Sequence, residues 1–111
     1  MIPFDITDWQ SIPETEIRGE RGVAKSKTLV LDSLVLRQVE YSSDYKADHW
    51  CDKGHVVYCI QGEFAIELKS GDKYSIKEGM TFQVSDNMSL HKLSTVSGAK
   101  VFILDGKFLE Q

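Results

Sequence analysis

The chain has 111 residues, which suits one domain with a modest core, and a core this thin is often completed by a second copy. Its 13 basic and 17 acidic residues are interspersed and give a net charge of −4. We expect no nucleic acid or membrane surface as partner, because positive charge is not concentrated anywhere to meet phosphates. No apolar run approaches the roughly 20 residues of a membrane span, and the N-terminus lacks a signal-peptide pattern. A cytoplasmic single domain covering residues 1–111 is predicted, with a homodimer as its assembly.

Short β-rich runs separated by turn residues occupy most of the chain. Near the N-terminus, Pro13 limits TDWQSIPETEI to a turn or two of helix. The runs that follow are KSKTLVL, LVLRQVEY, HVVYCI, EFAIEL, KYSI, MTFQV, SLHKLST and AKVFIL. Segments with turn chemistry, such as Ser70-Gly71-Asp72, lie between them. This spacing predicts an all-β sandwich or barrel, with an N-terminal arm over residues 1–24 and the barrel over residues 25–106.

Two of the three histidines and both cysteines fall between positions 49 and 59. In an extended strand, His49 and Cys51 would share one face. The Asp-Lys-Gly turn that follows would bring His55 onto the neighbouring strand, where cross-strand Cβ atoms lie about 5 Å apart. Imidazole and thiolate are both ligands of late transition metals. The spacing therefore predicts a metal site on one inward face.

The same residues resemble the first motif of the cupins, which reads His-x-His, three or four residues, Glu, six residues, Gly. Here the sequence reads His49-x-Cys51, three residues, His55, six residues, Gly62. Every spacing is kept, whereas two of the ligand types differ.

The segment KEGMTFQVSDNMSLH resembles the second cupin motif, which supplies one more histidine. Gly79 corresponds to its turn, Ser85-Asp86-Asn87 replaces the usual Pro-x-Gly bend, and His91 follows with one extra residue before it. The resemblance covers residues 27–105. Asp48-His49-Trp50-Cys51 and the IPFDITDW opening also resemble small uncharacterised cupins named for a DHCW-type motif.

The resemblance implies an RmlC-like cupin, an all-β double-stranded β-helix or jelly-roll barrel that holds a divalent transition metal. The implied ligands are His49, Cys51, His55 and His91. Loss of the motif's Glu and gain of a thiolate shift the preference from manganese toward zinc, with iron, copper or nickel as alternatives.

The number of side chains that bind the metal distinguishes two possible functions. Zinc held by all four side chains would have a closed shell, as in structural or sensing sites, and this favours a small metal-binding cupin of undetermined activity. The alternative is a metal-dependent enzyme of dioxygenase or isomerase type, acting on a small polar molecule through open coordination positions. Neither GxSxG, a P-loop nor GxGxxG occurs, so hydrolase and nucleotide chemistry lack support.

Other residues are candidates for the pocket. Arg37, Tyr41 and Tyr45 precede the site on strands that could line a barrel mouth, although ordinary packing would also explain them. Cys59 lies four residues after His55 on the same face, and we expect it to pack in the core or to line the cavity as a second thiol. Any one of the histidines could equally be a hydrogen-bonded core or surface residue.

Overall fold

A computed structural model describes residues 1–110, which form nine β-strands and two short 3-10 turns without an α-helix. The strands are β1 (Thr15–Arg18), β2 (Val23–Leu31), β3 (Leu34–Tyr41), β4 (Tyr45–Lys46), β5 (His55–Leu68), β6 (Lys73–Lys77), β7 (Thr81–Val84), β8 (His91–Thr95) and β9 (Ala99–Gly106). The turns are Trp9–Ser11 and Lys107–Leu109. No helix in this part of the chain is long and apolar enough to cross a membrane. The all-β prediction is confirmed, and the helical N-terminal segment is a single 3-10 turn.

All strand pairs are antiparallel, and they run in the order β1-β2-β3-β9-β5-β8-β4. β6 and β7 both pair with β5 outside this path. Two sheets result, one with β1, β2, β3, β9 and β7, the other with β4, β6 and β8, and β5 belongs to both. The curled arrangement is a jelly-roll barrel, as predicted.

β5 joins two runs that the sequence separates, HVVYCI and EFAIEL, into one strand of 14 residues. Its first half pairs with β7 and β9, and its second half with β6 and β8. A bulge between Cys59 and Gln61 and a positive φ of 84° at Gly62 mark the change of sheet. A Cβ at Gly62 would lie 2.4 Å from the Gly98 carbonyl oxygen, so only glycine suits this bend.

The predicted N-terminal arm of residues 1–24 includes β1 and the start of β2. Before β1, the Trp9 ring packs edge-on against Phe102, with ring centroids 5.5 Å apart. Lys27 Nζ donates a hydrogen bond to the Trp9 carbonyl oxygen at 3.0 Å. These contacts hold the chain before β1 against the outer side of β2 and β9.

The core lies between the two sheets, and β9 shows how the sequence builds it. Ala99, Val101 and Ile103 are buried at every second position, as expected for a strand with one face inward. Asp105 continues this series and is also buried. A carboxylate on an otherwise apolar inward face needs a polar partner, and that partner belongs to the cluster described next.

Candidate metal centre

Three side chains from three parts of the chain meet inside the barrel. Cys51 lies between β4 and β5, His55 begins β5, and His91 begins β8. One ligand atom from each residue lies within 4.8 Å of the other two, and Cys51 Sγ is 3.6 Å from His55 Nε2. Cys51 is half-buried, whereas both histidines are buried. The structure thus brings together three of the four ligands that the cupin resemblance implies.

The route by which Cys51 reaches the histidines differs from the predicted one. Residues 47–50 do not form a strand, so the expected extended segment through His49 and Cys51 is wrong. The backbone of Cys51 pairs with His91 instead of His55, through hydrogen bonds of 2.8 and 3.1 Å. Cys51 then lies close to His55 as well, because His55 and His91 face the same cavity.

His49 lies apart from this cluster. Its side chain is 76% exposed, and its Nδ1 is 2.7 Å from Asp48 Oδ1. It lines the cavity that the cluster faces. Without a strand at residues 47–50, alternation no longer directs the His49 side chain to the same side as Cys51.

The segment before His55 is held by the loop that follows β7. The Gly54 amide donates to Asp86 Oδ1 at 2.6 Å, and Lys53 Nζ lies 3.6 Å from Asp86 Oδ2. A Cβ on Gly54 would approach the Asp86 backbone nitrogen to 2.6 Å. This close approach explains why glycine precedes His55 and why β5 begins where it does.

Each histidine of the cluster is oriented by an oxygen acceptor on its outer side. His91 Nδ1 lies 3.0 Å from the Ser89 carbonyl oxygen, and His55 Nδ1 contacts the buried Asp105 carboxylate. A carbonyl oxygen can only accept, so His91 Nδ1 carries a proton, and Nε2 donates to the Cys51 thiolate when the ring is protonated or offers a lone pair to a metal when the ring is neutral. Metal-bound histidines are held in this way, with the second nitrogen donating to a carboxylate or carbonyl.

Hydrogen bonds within the cluster change the proton affinities of its members. Those from His55 and His91 lower the pKa of Cys51 from 9.0 to about 6, against the effect of burial. The bond to Cys51 is the main reason why the pKa of His91 is raised. Burial lowers the pKa of His55, but its bonds to Asp105 and Cys51 outweigh this and raise the pKa overall. Cys51 is therefore poised as a thiolate, the form that binds metals.

Asp105 is a candidate site residue that the sequence reasoning missed. Its carboxylate contacts both His55 Nδ1 and Arg37 Nη2. Burial alone would raise the pKa of Asp105, but these cationic neighbours lower it overall. The sequence did contain a signal for Asp105: it follows Val101 and Ile103 at alternate positions, so it faces the interior with them.

A cavity of about 210 Å³ opens beside the cluster. Three of the four pocket candidates, Arg37, Tyr41 and Tyr45, line it. The two tyrosine rings are 4.8 Å apart, and burial raises the pKa of Tyr41 well above its usual range. Cys59, the fourth candidate, has no exposed surface and lies in the core, with Sγ 3.4 Å from the Gly62 carbonyl oxygen.

Comparisons with known proteins relate the chain to other structures. No family model matches the sequence, and no curated protein matches it. An RmlC-like cupin from Shewanella frigidimarina superposes with a TM-score of 0.77 at 16% identity, covering 95% of this chain and 92% of that one. Ectoine synthase from P. lautus gives 0.76 at 22% identity, over 97% of this chain and 80% of that one. A predicted oxalate decarboxylase from Thermotoga maritima gives 0.76 at 10% identity, over 92% and 99%.

These similarities extend over nearly the whole chain at low sequence identity. They bear on the fold and leave the activity to be argued from the site. The chain therefore has the fold of the RmlC-like cupins, as the spacing of its two motifs predicted.

Proposed function

We propose that the protein binds one divalent transition-metal ion through Cys51, His55 and His91. The observation that carries the proposal is the orientation of the two imidazoles. Each has Nδ1 engaged by an oxygen acceptor, and His55 Nε2 points at the thiol. Two imidazole nitrogens and a sulfur that converge on one point, with the outer nitrogen of each ring already bonded, form the arrangement that a metal ion requires of its ligands.

Zinc is the metal we expect first. Two imidazoles and one thiolate form a borderline-soft set without an oxygen ligand, which suits zinc and also copper, iron or nickel better than magnesium or manganese. Asp105 would support the bound ion indirectly, because its carboxylate contacts His55 Nδ1. It would fix the ring orientation and increase the basicity of the coordinating nitrogen.

We propose three protein ligands in place of the four implied by the resemblance. The fourth, His49, is largely exposed and is bonded to Asp48. Zinc sites with three protein ligands keep one position for water or substrate, and this is the arrangement of catalytic centres.

A metal-dependent enzyme is the second candidate function, and the cavity of about 210 Å³ beside the cluster favours it. Arg37, Tyr41 and Tyr45 bring hydrogen-bonding groups to this cavity, so a small polar molecule could be oriented against them next to the metal. Bound metal would supply Lewis-acid or redox chemistry there. Two of the similar structures carry enzyme names, which is compatible with this reading without selecting a reaction.

Elemental analysis of protein free of any histidine tag tests the metal site. Wild type should carry one equivalent of zinc or another late transition metal, and His91→Ala should carry none. His49→Ala is the matched control and should retain one equivalent. Loss of the metal in His49→Ala would restore the four-ligand site, and absence of metal in the wild type after incubation with zinc would overturn the proposal.

Cobalt substitution tests whether a coordination position is open. With Co²⁺ in place of the native ion, a charge-transfer band from the Cys51 thiolate should appear, and azide should change the visible spectrum by occupying the open position. A spectrum that azide leaves unchanged would indicate a closed shell and would favour the non-catalytic function.

A further inference from the structure

Arg37 is the only arginine in the wall of the cavity among the described residues. Its Nη2 contacts the Asp105 carboxylate, and about 30% of its side chain is exposed. Its Nε is buried and has no hydrogen-bond partner within residues 1–110. A guanidinium has five N–H donors in a rigid fork. A ligand in the cavity cannot reach the buried Nε, but the contact with Asp105 uses only part of the terminal donors and leaves the others for a further acceptor.

The charges around the cavity favour an anion as that acceptor. Among the described lining residues, Arg37 and Lys92 are cationic and none is a carboxylate. Lys92 Nζ lies 4.9 Å from the centre of the Trp50 ring. The Asp105 carboxylate offsets one positive charge at Arg37, whereas a divalent ion would exceed the charge of the Cys51 thiolate by one and leave the occupied cavity positive. A low-dielectric cavity with this imbalance attracts negative ligands.

Size and lining restrict the anion further. At about 210 Å³, the cavity is below the roughly 300–1,000 Å³ of pockets for drug-sized ligands. Most of its wall is apolar, formed by Ala24, Val39, Val57, Ile66, Phe82, Leu93 and Ile103. A small organic anion with an apolar body could place its charge at Arg37 and its body against the apolar side chains. A monocarboxylate presents its oxygens to the guanidinium and an apolar chain to this wall, whereas the further oxygens of phosphate would face apolar side chains.

We propose that the cavity binds a small aliphatic monocarboxylate, with its carboxylate on Arg37 and its chain against the apolar wall. The far end of such a molecule would face Cys51, His55 and His91. The proposal deepens the proposed function by naming a ligand class, and it rests on the metal site for the charge of the occupied cavity.

Calorimetric titration of the zinc-loaded protein with butyrate tests the proposal, with butyramide as a neutral ligand of the same shape. Butyrate should bind saturably at one site, and butyramide should bind at least tenfold more weakly, because only the carboxylate can pair with Arg37. Inorganic phosphate should also bind more weakly than butyrate. No saturable butyrate binding, or equal affinity for butyrate and butyramide, would overturn the proposal, and this comparison needs no variant.

Arg37→Gln separates Arg37 from the metal as the site of the carboxylate. This variant should lose butyrate affinity at least tenfold, whereas Arg18→Gln, at an exposed position on β1, should match the wild type. Unchanged butyrate affinity in a zinc-loaded Arg37→Gln protein would show that the metal alone holds the ligand and would overturn the role of Arg37. Zinc content is measured in each sample before titration. A protein without zinc counts against the proposed metal site, whereas a zinc-loaded protein that ignores butyrate counts against this inference alone.

Discussion

Cys51 and Cys59 lie in the same small barrel and have opposite environments. Cys51 is half-buried between two imidazoles, whose hydrogen bonds lower its pKa to about 6. Cys59 has no exposed surface, and its sulfur contacts the backbone carbonyl oxygens of Gln61 and Gly62. Burial raises the pKa of Cys59.

The contrast shows that position along the chain did not decide the role of either thiol. Both cysteines are near His55 in sequence, but only the Cys51 sulfur contacts imidazole nitrogens. Cys59 packs where β5 changes sheets, among residues such as Val57 and Val101. The chemistry of a cysteine follows from its neighbours in space, and the two thiols serve as internal controls for each other.

Replacing each cysteine by alanine is the strongest test of this comparison. Zinc at 100 times its dissociation constant should stabilise the wild type by about 2.7 kcal/mol, because it binds only the folded state. The same increment should appear in Cys59→Ala and should vanish in Cys51→Ala. Thermal unfolding with zinc and with a chelator measures it.

Equal zinc increments in the two variants would break the comparison, because the thiolate of Cys51 would then contribute nothing to binding. Unfolding of His49→Ala under the same conditions serves as a control, and its increment should equal that of the wild type.

Alkylation of the zinc-free protein should separate the thiols by a factor of roughly 100 or more at neutral pH. The thiolate is the reactive form, so a lowered pKa means that the rate at Cys51 rises with pH through about 6 and levels off above it. Cys59 is protonated and buried and should react only as the protein opens. Iodoacetamide labelling followed by peptide mass spectrometry gives both rates.

Zinc should protect Cys51 from the reagent. A midpoint near the ordinary thiol value of 9.0 would mean that the imidazoles do not stabilise the thiolate.

The fold was accessible from the sequence because it depends on local patterns. Alternation and turn chemistry predicted the strands, and the segment from His49 to Gly62 keeps the spacing of the first cupin motif. The change of sheet within β5 was not predicted. It depends on a bulge and on the approach of Gly62 to the Gly98 carbonyl oxygen, and both are properties of the closed barrel. The predicted homodimer stays a prediction, which sedimentation can test.

The site was predicted in part for a related reason. Strand spacing suggested Cys51 and His55, and the cupin resemblance added His91. The orientation of His49 depends on whether residues 47–50 form a strand, and they do not. Asp105 is 50 residues from His55 in sequence, and only the pairing of β9 with β5 brings it close. Contacts of this kind arise from topology, which the local pattern does not encode.

Asp105→Asn should weaken zinc binding by about 10- to 100-fold, the usual effect of losing a partner that orients a metal-bound histidine. The amide keeps the shape of the side chain but removes the charge that raises the pKa of His55. Competition with a chromophoric chelator measures the affinity. Asp86→Asn, near the cluster but bonded to the Gly54 amide, is the matched control. If the zinc affinity of Asp105→Asn stayed within twofold of the wild type, Asp105 would not belong to the site.

The smallest effects should come from replacing the two cysteines in the zinc-free protein. Cys59→Ala removes a fully buried sulfur and leaves a small cavity, which should lower the free energy of unfolding by about 1 kcal/mol. Cys51→Ala should cost less, because its side chain is half-exposed beside a cavity that already exists. Urea unfolding in the presence of chelator measures both. A larger loss at Cys51 would mean that the thiol pairs with the imidazoles strongly enough to support the barrel without metal, and the division between a binding thiol and a packing thiol would no longer hold.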